Sequence, residues 1–280
     1  MKFSNFILIL TLGFLFLNNV QSLFAQKERS NIRKANNGVY VIAHRGAHIG
    51  NPENSLAAYQ KAIDFGCDFV EIDVRTTKDN QFVSIHNTTI DTYVDGVHGK
   101  VSEFTLAELK SFDIGSKVGV EWKDTSIPTF EEILKLCKGK IGIYLDLKAA
   151  SIPALVEIIK KYGMETDILW YIPASYMKEI KELTYVCPKC VPMPDVGHET
   201  NIEPFLNQVN AKMLATDMGE LTENFVKIAH LHQVLVTVDE KEGTPAEWTK
   251  IIEWKTDGIQ TDHPNELISF LKERYQRAKR

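Results

Sequence analysis

The chain lacks several features that would place it in a familiar class. Its apolar run near the start, Phe6 to Leu17, is too short for a good transmembrane span, which takes about 20 residues. It has no basic excess: the formal charge is −5, which gives no sign of general nucleic-acid binding. Cysteine is scarce, at 4 residues. Cys187 and Cys190 have CxxC spacing, but a zinc site would want a second pair, and Cys67 and Cys137 are isolated in amphipathic segments. A disulfide or free thiols fit better, with redox activity the lesser alternative. No internal repeat, low-complexity tract or linker points to a solenoid or a second domain.

What is present begins with a leader pattern. Lys2 precedes the apolar run, and a polar stretch then ends at Phe24-Ala25-Gln26. A basic start, a short apolar segment and a small residue for cleavage predict a signal peptide over residues 1–25. The mature chain, 26–280, is then exported, either periplasmic or secreted, with no stable membrane insertion after processing. An uncleaved anchor is the alternative. No cysteine near the cleavage point favours lipid attachment. Loss of Lys2 makes the mature chain slightly more acidic. The basic residues at the C-terminus, such as Lys272 and Arg274, read as a solvated helix end that complements the helix dipole.

Hydrophobic content of 44% supports a large core. Short apolar or β-branched runs alternate with helical patterns. The strands expected are 39–43, 68–74, 140–147, 167–172, 190–195, 211–216, 234–239 and 258–261. Helical periodicity covers 55–65, 129–137, 152–162, 174–183, 202–209, 221–232, 245–254 and 264–280. Ser55, Ser175 and Thr222 are candidate caps. This alternation predicts an α/β fold, a (β/α)8 TIM barrel. A ninth β-run, 81–85, follows the second strand after a turn too short for a parallel crossover. It belongs to a small insertion, about residues 75–127, which also holds a short helix over 105–112.

The chemistry concentrates early. His44-Arg45-Gly46, Glu53-Asn54-Ser55, Glu71-x-Asp73 and His86 fall within 43 residues. Carboxylates offer oxygen ligands to a hard cation, imidazoles move protons, and a guanidinium suits phosphoryl oxygens. That inventory fits phosphate chemistry. A barrel presents it at the C-terminal strand ends. Residues two apart on a strand face together, so Glu71 pairs with Asp73 and Asp146 with Lys148.

The segment from Val41 to Asn87 resembles the glycerophosphodiester phosphodiesterase family, through its H-R-G, P-E-N-S, E-x-D and downstream His. The likeness continues in Gly99–Ser102, Thr105–Leu109, Ile127–Glu132, Asp146-Leu147-Lys148 and Asp257–Asp262. It thus spans about residues 39–264. Three departures stand out. His86-Asn87 replaces the usual His-Asp. The Arg-Thr-Thr that often follows is replaced around Asp91–Val94. Asp146 stands where the third metal ligand is usually Glu.

The resemblance implies a metal-dependent phosphodiesterase that hydrolyses glycerophosphodiesters to glycerol 3-phosphate and an alcohol. It implies His44 and His86 as general base and acid, in either order. Glu71, Asp73 and Asp146 would hold a divalent cation, Mg²⁺ or Ca²⁺. Arg45 and Lys148 would bind substrate. Glu53 and Asn54 would order the first loop and support the metal, although helix capping explains them nearly as well. The partner is a small-molecule phosphodiester. Other outcomes are a lysophospholipase D, a phosphoinositide-type phospholipase, or a non-catalytic organophosphate-binding barrel. Trp170 and Tyr171 are candidates to line the cavity, with core packing the alternative.

Overall fold

Alternating side-chain burial organises the whole architecture, which a computed structural model describes for residues 32–278. The leader expected over 1–25 lies outside the described residues. The strands in chain order are β1 (Tyr40–Ala43), β2 (Phe69–Thr76), β3 (Phe82–Ser84), β4 (Gly142–Ala149), β5 (Ile168–Pro173), β6 (Val191–Asp195), β7 (Met213–Asp217), β8 (Leu235–Asp239) and β9 (Gly258–Thr261). Their hydrogen-bonded order is β1-β9-β8-β7-β6-β5-β4-β2, and β1 also pairs with β2. The ring is therefore closed, with eight parallel strands. β3 stands outside it, antiparallel to β2. The (β/α)8 barrel expected from sequence is the fold observed.

Period two along each strand sorts the side chains. Val70, Ile72 and Val74 of β2, like Ile143 and Leu145 of β4, join the apolar layer beneath the helices. Their neighbours Glu71, Asp73, Tyr144 and Asp146 face the barrel interior and line its mouth. One alternation thus supplies both core and site.

The helices are α1 (Leu56–Phe65), α2 (Leu106–Ser111), α3 (Phe130–Cys137), α4 (Ile152–Tyr162), α5 (Met177–Val186), α6 (Ile202–Leu206), α7 (Glu223–Leu231), α8 (Pro245–Glu253) and α9 (Pro264–Ala278). Several starts have a side-chain cap. Ser55 caps α1 by accepting the Ala58 N–H, and Thr222 caps α7 through the Phe225 N–H. Such a cap stabilises by about 1 kcal/mol. Thr129 and Glu132 form a reciprocal capping box at α3. That helix then buries Phe130, Ile133, Leu134 and Cys137 on one face. Truncating Leu134 to Ala there would cost roughly 2–5 kcal/mol.

Two helices depart from the sequence reading by three residues at one end. α5 starts at Met177, three residues later than expected, and Tyr176 rather than Ser175 takes the cap position without a side-chain bond. Backbone bonds explain the delay: the Ala174 N–H goes to Asp195 and the Tyr176 N–H to Pro173, which turns the chain before the helix. α6 stops at Leu206 instead of continuing to 209. A tight turn follows, in which Gln208 donates to the Phe205 carbonyl. Cys187 and Cys190 are disulfide-bonded.

The insertion lies between β2 and α3, as expected. It has its own small core of Val83, Ile85, Ile90, Val101, Leu109, Ile114 and Ile127. β3 aligns Val74 with Ser84, Arg75 with Val83 and Thr76 with Phe82. The Ile85 N–H then bonds the Asp73 carbonyl at 2.9 Å. This pairing carries the chain back over the barrel mouth and delivers His86 beside the end of β2.

Candidate active site

The first loop is built by backbone geometry. Arg45 adopts φ 51°, in the left-handed region, and Gly46 follows at φ 81°. A Cβ on Gly46 would sit 2.7 Å from the Ala58 Cβ, so only glycine lets the loop pack on α1. The turn aims the Arg45 N–H at Glu71 Oε2, at 2.7 Å. The Arg45 side chain donates from Nη1 to Glu53 Oε2 at 2.9 Å. Tyr93 donates to the other Glu53 oxygen at 2.8 Å.

Glu71, Asp73 and Asp146 meet at the mouth, with ligand oxygens all within 4.8 Å of one another. Asp73 and Asp146 are register partners on adjacent strands. The shorter Asp146 side chain therefore reaches the cluster directly. Glu71 and Asp73 are both buried. Burial, reinforced by Asp73 and Asp146, pushes the Glu71 carboxyl well above the ordinary range. Burial also raises Asp146, against the opposing pull of Lys148. Asp73 Oδ1 is buried without a hydrogen-bond partner, although Lys148 Nζ lies 3.3 Å away. Crowded buried carboxylates with an orphaned oxygen fit a hard divalent cation.

Lys148 Nζ bonds Asp146 Oδ2 at 2.6 Å. Burial alone would lower its pKa, but Asp146, Asp73 and Glu71 together raise it. It therefore stays charged beside the cluster.

Asn54 is a buried support. It also has φ 51°, which Asn tolerates better than most residues. Its Nδ2 donates to Asp73 Oδ2 at 2.8 Å. Its Oδ1 accepts from Tyr59 and Ser84, each at 2.8 Å. Capping belongs to Ser55 alone. Glu53 lies apart from the carboxylate cluster. It borders a neighbouring cavity of about 360 Å³ with Arg45, Asn87, Thr92 and Tyr93.

The histidines have different backing. His44 Nδ1 is 2.7 Å from Asp262 Oδ1, at the end of β9. Burial pushes Asp262 up, but the hydrogen bond and charge of His44, with His48 and Arg45, hold it below the usual range. His86 Nδ1 is 2.9 Å from the neutral amide oxygen of Asn87. Arg75 fixes the His86 carbonyl from Nη2 at 2.6 Å. Both rings open onto one cavity of about 320 Å³, shared with Arg45, Lys148 and the carboxylate cluster. Tyr171 lines it too. Trp170, its neighbour on β5, is buried in the outer apolar layer instead.

Asp262, Tyr93, Arg75, Tyr59 and Ser84 join the site through contacts that no sequence motif announces. Asp262 was within reach, because β9 neighbours β1 in any closed barrel of this order.

Comparison with known proteins agrees with this geometry. Residues 44–169 match the model of the glycerophosphoryl diester phosphodiesterase family. YhdW of Bacillus subtilis (strain 168) is 32% identical over 244 residues, covering 82% of this chain and 97% of that protein. A glycerophosphodiester phosphodiesterase of Caldanaerobacter subterraneus subsp. tengcongensis is 30% identical over 250 residues, covering 83% and 97%. The solved structure of an Oleispira antarctica phosphodiesterase in complex with the product sn-glycerol-3-phosphate superposes with a TM-score of 0.76. It is 25% identical, covering 83% of this chain and 96% of the other. The chain belongs to the glycerophosphodiester phosphodiesterase family.

Proposed function

We propose that this chain is a metal-dependent phosphodiesterase hydrolysing glycerophosphodiesters to glycerol 3-phosphate and an alcohol. One observation carries the reading. Glu71, Asp73, Asp146, Arg45, Lys148 and both histidines share a single cavity at the C-terminal end of the barrel. Glu71, Asp73 and Asp146 would hold Mg²⁺ or Ca²⁺. A divalent cation there would withdraw negative charge from the phosphoryl oxygens.

The chain's own residues do the rest. Arg45, held at the cavity edge by Glu53, and Lys148 orient the anionic diester. His44, backed by the Asp262 carboxylate, takes the proton of the attacking hydroxyl. A carboxylate stabilises the imidazolium that forms better than a neutral amide does. His86, held by Asn87 and Arg75, returns a proton to the leaving alcohol. The polar cavity suits a short alcohol. The leader pattern read in the sequence of residues 1–25 supports export to the periplasm or beyond; N-terminal sequencing of the native protein tests it, and an intact Met1 would refute cleavage.

The deciding assay is purified protein on glycerophosphocholine and glycerophosphoethanolamine, with glycerol 3-phosphate as readout. His44→Ala and His86→Ala should each lower kcat by roughly 10²–10⁴-fold with the fold intact. Near-normal turnover by His86→Ala on substrates with poor leaving groups would remove its role as acid.

A further inference from the structure

The catalytic cavity has a second wall whose charge the reaction does not use. Asp195, Asp217 and Asp239 are the last residues of β6, β7 and β8, and all three line the cavity. In the ring order, β7 and β8 lie across the barrel from β2 and β4, which carry the metal-type cluster. Asp217 and Asp239 are direct register partners, so their side chains project together. Lys241 is the cation on that side. Three carboxylates against one lysine leave this wall net negative.

Two further observations point to a ligand. Gln260 sits on β9 beside Asp239, is only 7% exposed and lines the same cavity. It bonds Asp239, yet its amide oxygen has no partner. That buried acceptor, beside the Asp239 carboxylate, suits an N–H donor, which a primary ammonium carries and a quaternary one lacks. Tyr171 then brings an aromatic face: its hydroxyl bonds Asp195 at 3.2 Å and its ring packs 5.8 Å from that of Tyr144. Carboxylates with aromatic rings are the ordinary surroundings of an organic ammonium.

A second metal ion suits the wall less well. Among the described residues, only Glu71, Asp73 and Asp146 bring three ligand atoms within 4.8 Å of one another. The far acids are too spread to ligate one ion at the roughly 2.3–2.6 Å that Ca²⁺ requires. A bulky ammonium needs no such convergence.

We propose that the wall of Asp195, Asp217 and Asp239, with Tyr171 and Gln260, recognises the cationic head of an amino-alcohol leaving group. This rests on the phosphodiesterase reading above. The phosphate end of the cavity has Arg45, Lys148 and the metal cluster for the anion. The opposite end then reads the ammonium of the same substrate, and sets its preference over neutral diesters.

The test compares kcat/KM at saturating cation for glycerophosphoethanolamine and glycerophosphocholine with those for glycerophosphoglycerol and glycerophosphoinositol. The wild-type protein should favour the cationic pair by ~10-fold or more, the scale of one uncompensated close charge. Asp217 is exposed and its Oδ1 accepts from the Gly219 and Glu220 N–H groups, an acceptor that Asp217→Asn keeps, so the variant should fold normally. It should raise KM for the cationic diesters by ~3–10-fold and leave the neutral ones within about twofold. Lys241→Gln should shift the preference the other way. Equal turnover of neutral and cationic diesters by the wild-type protein would overturn the proposal and leave the phosphodiesterase reading standing. So would an equal loss on both classes in Asp217→Asn. Failure to hydrolyse any of the four would overturn both.

Discussion

Removing the Asn54 side chain should weaken both the fold and the metal site, because one amide serves both. Asn54→Ala deletes the hydrogen bond from Nδ2 to Asp73 Oδ2. That bond is buried and charge-assisted, worth about 1.5–3 kcal/mol. Tyr59, Ser84 and the Asp73 N–H lose the Oδ1 acceptor, but the two hydroxyls lie 2.8 Å apart and, once released, bond each other, which limits the further loss. Alanine at φ 51° adds roughly 1 kcal/mol of strain relative to asparagine. The total is about 3–5 kcal/mol. For a chain of this size that lowers Tm by roughly 6–20 °C. Asp73 would also lose the group that orients its carboxylate, so half-maximal activity should need about tenfold more cation, a typical effect of losing such a support. Denaturant unfolding gives the first quantity and a cation titration of activity the second. A loss below about 1 kcal/mol with an unchanged cation requirement would refute the account of Asn54 as a shared support.

Three other predictions follow from the same geometry. Asp262→Asn should keep the fold and lower kcat by roughly 10–10³-fold, since it leaves His44 without an anionic partner; an equal loss in Asn87→Ala would remove the distinction drawn between the two histidines. Chelation should abolish activity and Mg²⁺ or Ca²⁺ restore it, with Glu71→Gln and Asp73→Asn costing more than Asp146→Asn; full activity after verified metal removal would refute the metal mechanism. The last concerns pH. Burial and the Glu240 carboxyl raise Glu247 to about 7. Its folded pKa exceeds the unfolded value, so its contribution is full below the ordinary glutamate range and is lost as pH rises towards 7. Glu247→Gln should flatten the fall in Tm across that window, and an unchanged slope would disprove the pairing.

The barrel was legible because two periodicities alternate along the chain and neither is ambiguous over most of its length. Strand ends were less so. β2 continues two residues past the expected Val74. The reason is β3, whose ladder bonds run to Thr76, and nothing in the local β-propensity of Arg75-Thr76 announces them. The start of α5 shows the same limit. Ser175 has the right chemistry for a cap, but the Ala174 N–H is claimed by Asp195 on the next strand, which delays the helix.

The candidate site divides along the same line. Glu71 and Asp73 were readable because alternation within one strand is local, and Asp146 because its strand had to neighbour theirs. Asp262 stands 218 residues from its partner His44. Only closure of the ring makes them neighbours. Glu53 is the instructive case. Its sequence position beside Asn54 suggested a shared support role, yet the left-handed turn at Asn54 separates them. Asn54 goes inward to Asp73, while Glu53 goes outward to Arg45 and Tyr93. Tyr93 lies where this chain departs from the family's usual residues, and it is what fixes the second Glu53 oxygen. The departures at Asn87 and around residues 91–94 therefore form one connected change. Asn87 accepts from His86, its amide donates to Thr92 at 2.8 Å, and its N–H reaches the Tyr93 hydroxyl at 3.2 Å. Substitutions that look like separate lapses from the pattern are, in space, a single replacement of the hydrogen-bonded support behind one histidine.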